Sequence, residues 1–151
     1  MPVQRTLILL KPDAVQRGLA GEILARFERK GLRAVGLKLV RASVEQATKH
    51  YIEHSQKPFF PSILEFITAS PLVAVALEGD TAIAVARVLI GATDGRVAAP
   101  GTIRGDFGLS KSNNLVHGSD SPESAERELA IWFPEGLLSW TKTDSIWAET
   151  P

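Results

Sequence analysis

Apolar and polar positions fall into blocks along the chain, and each block predicts an element. Thr6-Leu-Ile-Leu-Leu10 is a continuous apolar run, the pattern of a strand buried on both faces. Lys11-Pro12-Asp13 ends it, with Asp13 placed to cap a first helical turn through Arg17 that Gly18 interrupts. From Gly21 to Lys30, Ile23, Leu24 and Phe27 make a helical stripe, and Gly31 is its stop. Arg33 to Arg41 alternates as a strand: Val35, Leu37 and Leu39 share one side, and Gly36, Lys38 and Val40 the other. Ser43-Val-Glu-Gln46 has the form of a capping box and opens a helix that runs to about Glu53, with Tyr51 near its end.

Lys57-Pro-Phe-Phe-Pro61 separates that helix from a second one, Ser62 to Thr68. Leu72 to Leu77 reads as a third strand, and Glu78-Gly79-Asp80 as a turn ending in a helix cap. The helix Thr81 to Ile90 turns Ala82, Val85, Ala86 and Leu89 inward. From Gly91 to Gly108 the periodicity vanishes. A loop of that length is usually functional or disordered, and Val97, Ile103 and Phe107 predict an ordered, packed one. Leu115 and Val116 close a short buried strand, and Ser121-Pro122-Glu123 opens a helix that buries Ala125, Leu129, Trp132 and Phe133. The tail from Pro134 carries Trp140 and Trp147 without clear periodicity, as expected of a segment that covers another surface.

This order fits an α+β, ferredoxin-like βαββαβ antiparallel four-stranded sheet, with helices on one side and a long loop before the last strand. At 151 residues one domain, 1–151, is expected. Zero net charge argues against a nucleic-acid or membrane field. The absence of cysteine removes disulfides and thiolate metal sites. No apolar run has the length of a signal peptide core or a membrane span, so a soluble, cytoplasmic protein is expected.

Candidate chemistry gathers at element ends. His117 falls where a strand runs out toward a helix N-terminus, a place that favours anions. Taken alone it reads as an ordinary packed or surface histidine. Glu128 lies at the edge of the apolar stripe of the following helix, so it needs a partner, and His117 is the candidate. Lys11, Arg87, Arg104, Asn114 and Thr93 all sit at element ends or in the long loop, a set suited to a polyphosphate. No glycine-rich phosphate cradle is present, so side chains would have to hold such a ligand. Phe59 and Phe60 read first as a hydrophobic staple; the other reading leaves one ring exposed to stack on a planar ligand. His50 and His54, at i and i+4 without a third ligand in view, read as a solvated helical face.

Several motifs in one order resemble the nucleoside diphosphate kinase family over nearly the whole chain. They are Arg5-Thr-Leu-Ile-Leu-Leu-Lys-Pro-Asp13, Val15-Gln-Arg-Gly-Leu19 with Gly21-Glu-Ile23, Lys57-Pro-Phe-Phe-Pro61, Ala99 to Gly108, and Asn114-Leu-Val-His-Gly-Ser-Asp-Ser121. The resemblance implies ping-pong transfer of a γ-phosphoryl group from ATP or another nucleoside triphosphate to a nucleoside diphosphate. His117 would be phosphorylated on the ring nitrogen nearer Cβ. Glu128, supported by Ser119, would orient the ring, and Tyr51 would help position it or the phosphate. Lys11, Arg87, Thr93, Arg104 and Asn114 would hold phosphates and ribose. Phe59 would stack on any base, and Mg²⁺ would ride on the phosphates rather than in a protein cage.

The family assembles as homohexamers or homotetramers, and the long tail resembles the hexamer type. Gly95, Ser112-Asn113, Asp80-Thr81 and the tail depart from the common pattern, and none of these is a matched catalytic position. The competing reading is a non-catalytic ferredoxin-like module that binds nucleotides or nucleic acid. Strands without surface aromatics and a net charge of zero count against it. A purely structural subunit has only the tryptophan-bearing tail in its favour.

Overall fold

A computed structural model describes residues 2–149. The elements are β1 (Val3–Leu10), α1 (Pro12–Gln16), α2 (Ala20–Lys30), β2 (Arg33–Val40), α3 (Val44–His50), α4 (Phe60–Thr68), β3 (Leu72–Asp80), α5 (Ala82–Ile90), α6 (Ile103–Phe107), β4 (Val116–Gly118) and α7 (Pro122–Trp132). The strands form one four-stranded sheet in the order β2-β3-β1-β4, each pair antiparallel, which is the ferredoxin-like arrangement. No helix among the described residues is long and apolar enough to cross a membrane.

The unbroken apolar run of β1 has its explanation in the packing. Ile8 and Leu10 join Ile23, Phe27, Ala82 and Ala86 on one face. Leu7 and Leu9 join Ala47, Ile67 and Trp132 on the other. Helices therefore cover both faces, not one as the element order suggested. A central strand between two helical layers has no wet side, so it carries no alternation.

Other expectations change in detail. β3 does not turn after Leu77; it continues to Asp80 because Val3 to Arg5 pair with Asp80 to Glu78. Glu78 is tolerated there because Arg5 and Arg33 both pair with it. The residue capping α5 is Thr81, in the left-handed region at φ 45° and without a side-chain cap. In β2 a register shift between Ala34 and Gly36 separates Val35, which is buried, from Leu37 and Leu39, which are exposed. The Ser43–Gln46 capping box forms in full, but α3 ends at His50 and a short 3₁₀ turn, Ile52–His54, follows. α4 begins two residues early, at Phe60.

The tail docks on its own sheet edge. The Leu138 N–H donates to the Val35 carbonyl and the Trp140 indole to the Ala34 carbonyl. Glu149 pairs with Arg33 and accepts from the Asp80 N–H. Trp147 remains 86% exposed, so part of the tail has no cover among the described residues.

The long loop is ordered, and it contains α6. Thr102 caps this five-residue helix through the Gly105 N–H. Gly105 is required by a close approach: a Cβ there would run into the Ala99 carbonyl oxygen. Gly105→Ala should therefore destabilise the protein by about 1–3 kcal/mol, by analogy with other overpacked sites. A lower midpoint in urea unfolding at unchanged slope would show it; an unchanged midpoint would contradict the packing described.

Candidate active site

His117 lies at the centre of β4, opposite Leu9, rather than just beyond the strand's end. Its ring is set by a buried relay. His117 Nε2 donates to Glu128 Oε1 at 2.9 Å. The Ser119 hydroxyl donates to the same oxygen at 2.7 Å and accepts from the Leu7 N–H at 3.2 Å. A carboxylate can only accept, so its two donors are the hydroxyl and the Nε2–H. In the neutral ring the proton thus sits on Nε2, and Nδ1, the nitrogen nearer Cβ, keeps its lone pair. Glu128 is 5% exposed, a cost offset by these bonds and by Arg127 at 3.7 Å.

Two cavities adjoin at Tyr51 and His54, and the smaller opens onto this ring. The smaller, of about 200 Å³, is lined by His117, Glu128, Arg87, Arg127, Asp120 and Ser124 among others. The larger, of about 690 Å³, is lined by Lys11, Phe59, Ile63, Phe66, Thr93 and Asn114 among others. Tyr51 and His54 line both. The larger space is mostly apolar and opens beside Phe59, whose ring is 48% exposed. Phe59 is therefore not a buried staple; its ring stands exposed at the cavity wall.

Lys11 donates from Nζ to Asn114 Oδ1 at 2.9 Å, and the Asn114 amide nitrogen donates to the carbonyls of Thr93 and Lys111. Burial and the neighbouring Arg104 lower the Lys11 ammonium to about 8. Arg87 is exposed and donates to the Gly118 carbonyl at 3.0 Å. Arg104 is buried behind the cavities. Its guanidinium donates to the carbonyls of Asn114, Gly91 and Val116, and burial and Arg87 lower it to about 10. Burial, with Glu128 nearby, pushes the Tyr51 hydroxyl upward, so it stays a neutral donor.

The backbone entering β4 is strained. Leu115 has φ +74°, and the Val116 N–H donates to the Asn114 carbonyl at 2.8 Å. A bond closed across one residue at positive φ is the strained form of the γ-turn, at a cost of about 1–3 kcal/mol for a non-glycine residue. Arg104 holds the carbonyls on both sides of it.

Two residues of the site escaped the sequence reading. His50 is not on a solvated face; it is 4% exposed and packs edge-on against His117, with ring centroids 4.5 Å apart. It follows Ala47 at i+3, and that shared buried face was the available signal. Trp132 Nε1 donates to His50 Nδ1 at 3.0 Å, which puts the His50 proton on Nε2. His50, His117 and Glu128 together have the composition of a metal site. In this tautomer, however, His50 offers no lone pair toward the cavity, and two nitrogens suit Mg²⁺ poorly. Asp13 is the second. It does not cap α1, whose N-cap is Lys11; it reaches the Leu115 N–H instead.

An oriented imidazole with a free Nδ1, cations near it and an apolar slot beside it, on a ferredoxin-like sheet, form the kind of site that phosphoryl transfer requires. The family model described as nucleoside diphosphate kinase matches residues 4–137. A nucleoside diphosphate kinase from Archaeoglobus fulgidus is 51% identical over 96% of this chain and 97% of its own. One from Rhodococcus erythropolis is 64% identical over 87% of this chain and 95% of its own. A solved structure of a halophilic nucleoside diphosphate kinase from Halobacterium salinarum, in complex with CDP, superposes with TM-score 0.95 at 46% identity, covering 99% of this chain and 100% of that one. The chain belongs to the nucleoside diphosphate kinase family.

Burial and the neighbouring His117, Arg127 and Lys11 hold the His50 imidazole well below the ordinary 6.5. The unfolded chain therefore takes up a proton near pH 6.5 that the folded chain refuses. This contribution to stability is complete above that pH and is lost as pH falls, by up to about 1.4 kcal/mol per pH unit. His50→Asn keeps an acceptor for the Trp132 indole and removes the titration. Urea unfolding from pH 7 to 5 should show a shallower loss of stability in the variant; parallel curves would contradict a neutral His50.

Proposed function

We propose that the chain carries out the reaction of its family through His117. The Nδ1 lone pair attacks the γ-phosphorus of a nucleoside triphosphate, the bond to the bridging oxygen breaks, and the nucleoside diphosphate leaves with that electron pair. A terminal oxygen of a second diphosphate then attacks the same phosphorus, and the imidazole is restored. The observation that carries this reading is the Nε2–Glu128 bond, because it leaves the other nitrogen free and aimed.

Each remaining residue supports one part of the transfer. Glu128 and Ser119 keep the ring oriented and stabilise positive charge that develops on it. Arg87 brings its charge to the smaller cavity, where the phosphates belong. Lys11, Thr93 and Asn114 line the larger one, where ribose and the inner phosphates belong. Tyr51 stands at their junction and donates a hydrogen bond. Arg104 adds charge from behind. Phe59 offers a ring face, and every base has a matching π-face, so discrimination between bases should be weak. The CDP held by the relative from Halobacterium salinarum fits this account. Mg²⁺ would arrive on the nucleotide and neutralise phosphate charge, with Asp120 among the carboxylates lining the phosphate cavity.

We further read residues 1–151 as one domain, because both core clusters share β1 and β3. We read the enzyme as a homohexamer, with a tetramer as the alternative. The edge strand β2 exposes Leu37 and Leu39, and the tail exposes Ile146 and Trp147, which supports contact with further copies. A cytoplasmic location follows from the nucleotide substrates this reading requires.

Incubation of the protein with ATP and Mg²⁺ should leave an acid-labile, base-stable phosphoryl adduct. His117→Ala should lose ATP-to-diphosphate exchange by on the order of 10⁶-fold while keeping its circular dichroism spectrum. Exchange at the original rate in that variant would discard the reading.

The Lys11 value gives a second test. Its cation is complete below pH 8 and lost above, so kcat/KM should fall as pH rises through about 8. Lys11→Arg keeps its charge and should remove that fall, whatever its absolute rate. An unchanged alkaline limb would show that another group titrates there.

A further inference from the structure

The strained turn at Leu115 joins two of the side chains assigned above. Asn114 precedes it, and His117 follows two residues later. The rotation of one peptide therefore sets the spacing between a nucleotide-binding amide and the nucleophile. A leucine does not remain at φ +74° by preference, so something must hold it.

Three groups do so. The Leu115 carbonyl accepts from the Lys11 N–H at 2.8 Å. Arg104 grips the carbonyls of Asn114 and Val116. The Leu115 N–H, the one polar group of the turn that faces neither of these, donates to Asp13 Oδ2 at 3.0 Å across 102 residues of sequence. Asp13 has no capping duty in α1, and its other oxygen, Oδ1, is buried without a partner. Burial pushes this carboxyl above its ordinary range, so the group is retained at a cost. The Lys11 charge and the first-turn amides of Asp13 and Ala14 also favour the carboxylate, but the Leu115 N–H is the strongest of these partners and is its one bond to a strained amide.

We infer that Asp13 is a positioning residue for phosphoryl transfer: its carboxyl oxygen holds the Leu115 amide in the left-handed turn, and the turn sets Asn114 and His117 in register on one polyphosphate. This rests on the assignment of His117 as nucleophile. Without the acceptor, Leu115 relaxes toward negative φ, and both flanking side chains move relative to Lys11. Misplacement on that scale affects the chemical step more than binding, with losses of about 10²-fold for about 1 Å.

Two full-length variants separate reach from charge. Asp13→Asn keeps an oxygen at the same distance and loses the charge. Asp13→Glu keeps the charge and displaces the oxygen by one methylene. The readouts are the single-turnover rate of His117 phosphorylation from ATP and the dissociation constant for ADP, below the melting temperature of each variant. The Asn variant should phosphorylate at close to the wild-type rate. The Glu variant should be slower by about 10²-fold, with ADP affinity changed far less. A merely structural role would lower the melting temperature and leave the rate per folded molecule unchanged. Wild-type rates in both variants, a fast Glu variant beside a slow Asn one, or equal losses in both would overturn the proposal. If the wild-type protein carries no phosphate on His117, the reading of the site fails instead, and the two failures are distinguishable.

Discussion

Glu128 is a carboxylate inside a protein core, and the site is organised around satisfying it. Its helix begins just beyond His117, so the chain returns after one helical segment to present an acceptor to the ring it has just displayed. Ser119 completes the arrangement by linking the carboxylate to the backbone of β1. Three elements thus converge on one imidazole: β1, β4 and α7. Were the carboxylate lost, the ring would be free to choose its tautomer and its angle. A nucleophile in the wrong tautomer is inert however many cations surround it.

The cations are arranged on a related principle. Lys11 and Arg104 share a buried neighbourhood, and each lowers the proton affinity below the ordinary value by burial first and by like charge second. The single carboxyl of Asp13 acts on both and offsets this repulsion only in part, so the cluster of Lys11, Arg104 and Arg87 stays unfavourable until an anion arrives. Binding of a polyphosphate relieves that repulsion, so part of the affinity is stored in the empty protein. The same tension is not present at the sheet edge, where Arg5 and Arg33 have Glu78 and Glu149 for partners.

Much of this was legible in the residues, and what was not shares one physical trait. The Ser43–Gln46 box, the Gly31 stop and the position of Glu128 on its helix are local features, settled within one or two turns. The continuation of β3, the burial of His50 and the reach of Asp13 each depend on a partner more than seventy residues away in sequence. Composition offered no warning of them, because a histidine or aspartate at a helix end is ordinary until its surroundings are known. α6 was hidden for another reason. Its five residues include a glycine and complete little more than one turn, too short for a 3.6-residue period to register. The resemblance to a family supplied roles for the site residues, whereas His50 and Asp13 emerged only from packing.

The two arginines expected to bind phosphate, Arg87 and Arg104, are not equivalent. A guanidinium has five N–H donors. Arg104 commits all three of its nitrogens to backbone carbonyls, around the turn at Leu115 and at Gly91, and it lines neither cavity. Its bonds belong to the scaffold, and on the proposed reading it would act on a phosphate through charge alone. Arg87 commits one nitrogen to Gly118, stands exposed and lines the smaller cavity. On the proposed reading it could follow a phosphoryl group between a nucleotide and His117 by rotation of its side chain, giving up one bond to the Gly118 carbonyl. Rigid charge behind the reacting group and adaptable charge in front of it is the division expected where a group must be held, transferred and released in both directions.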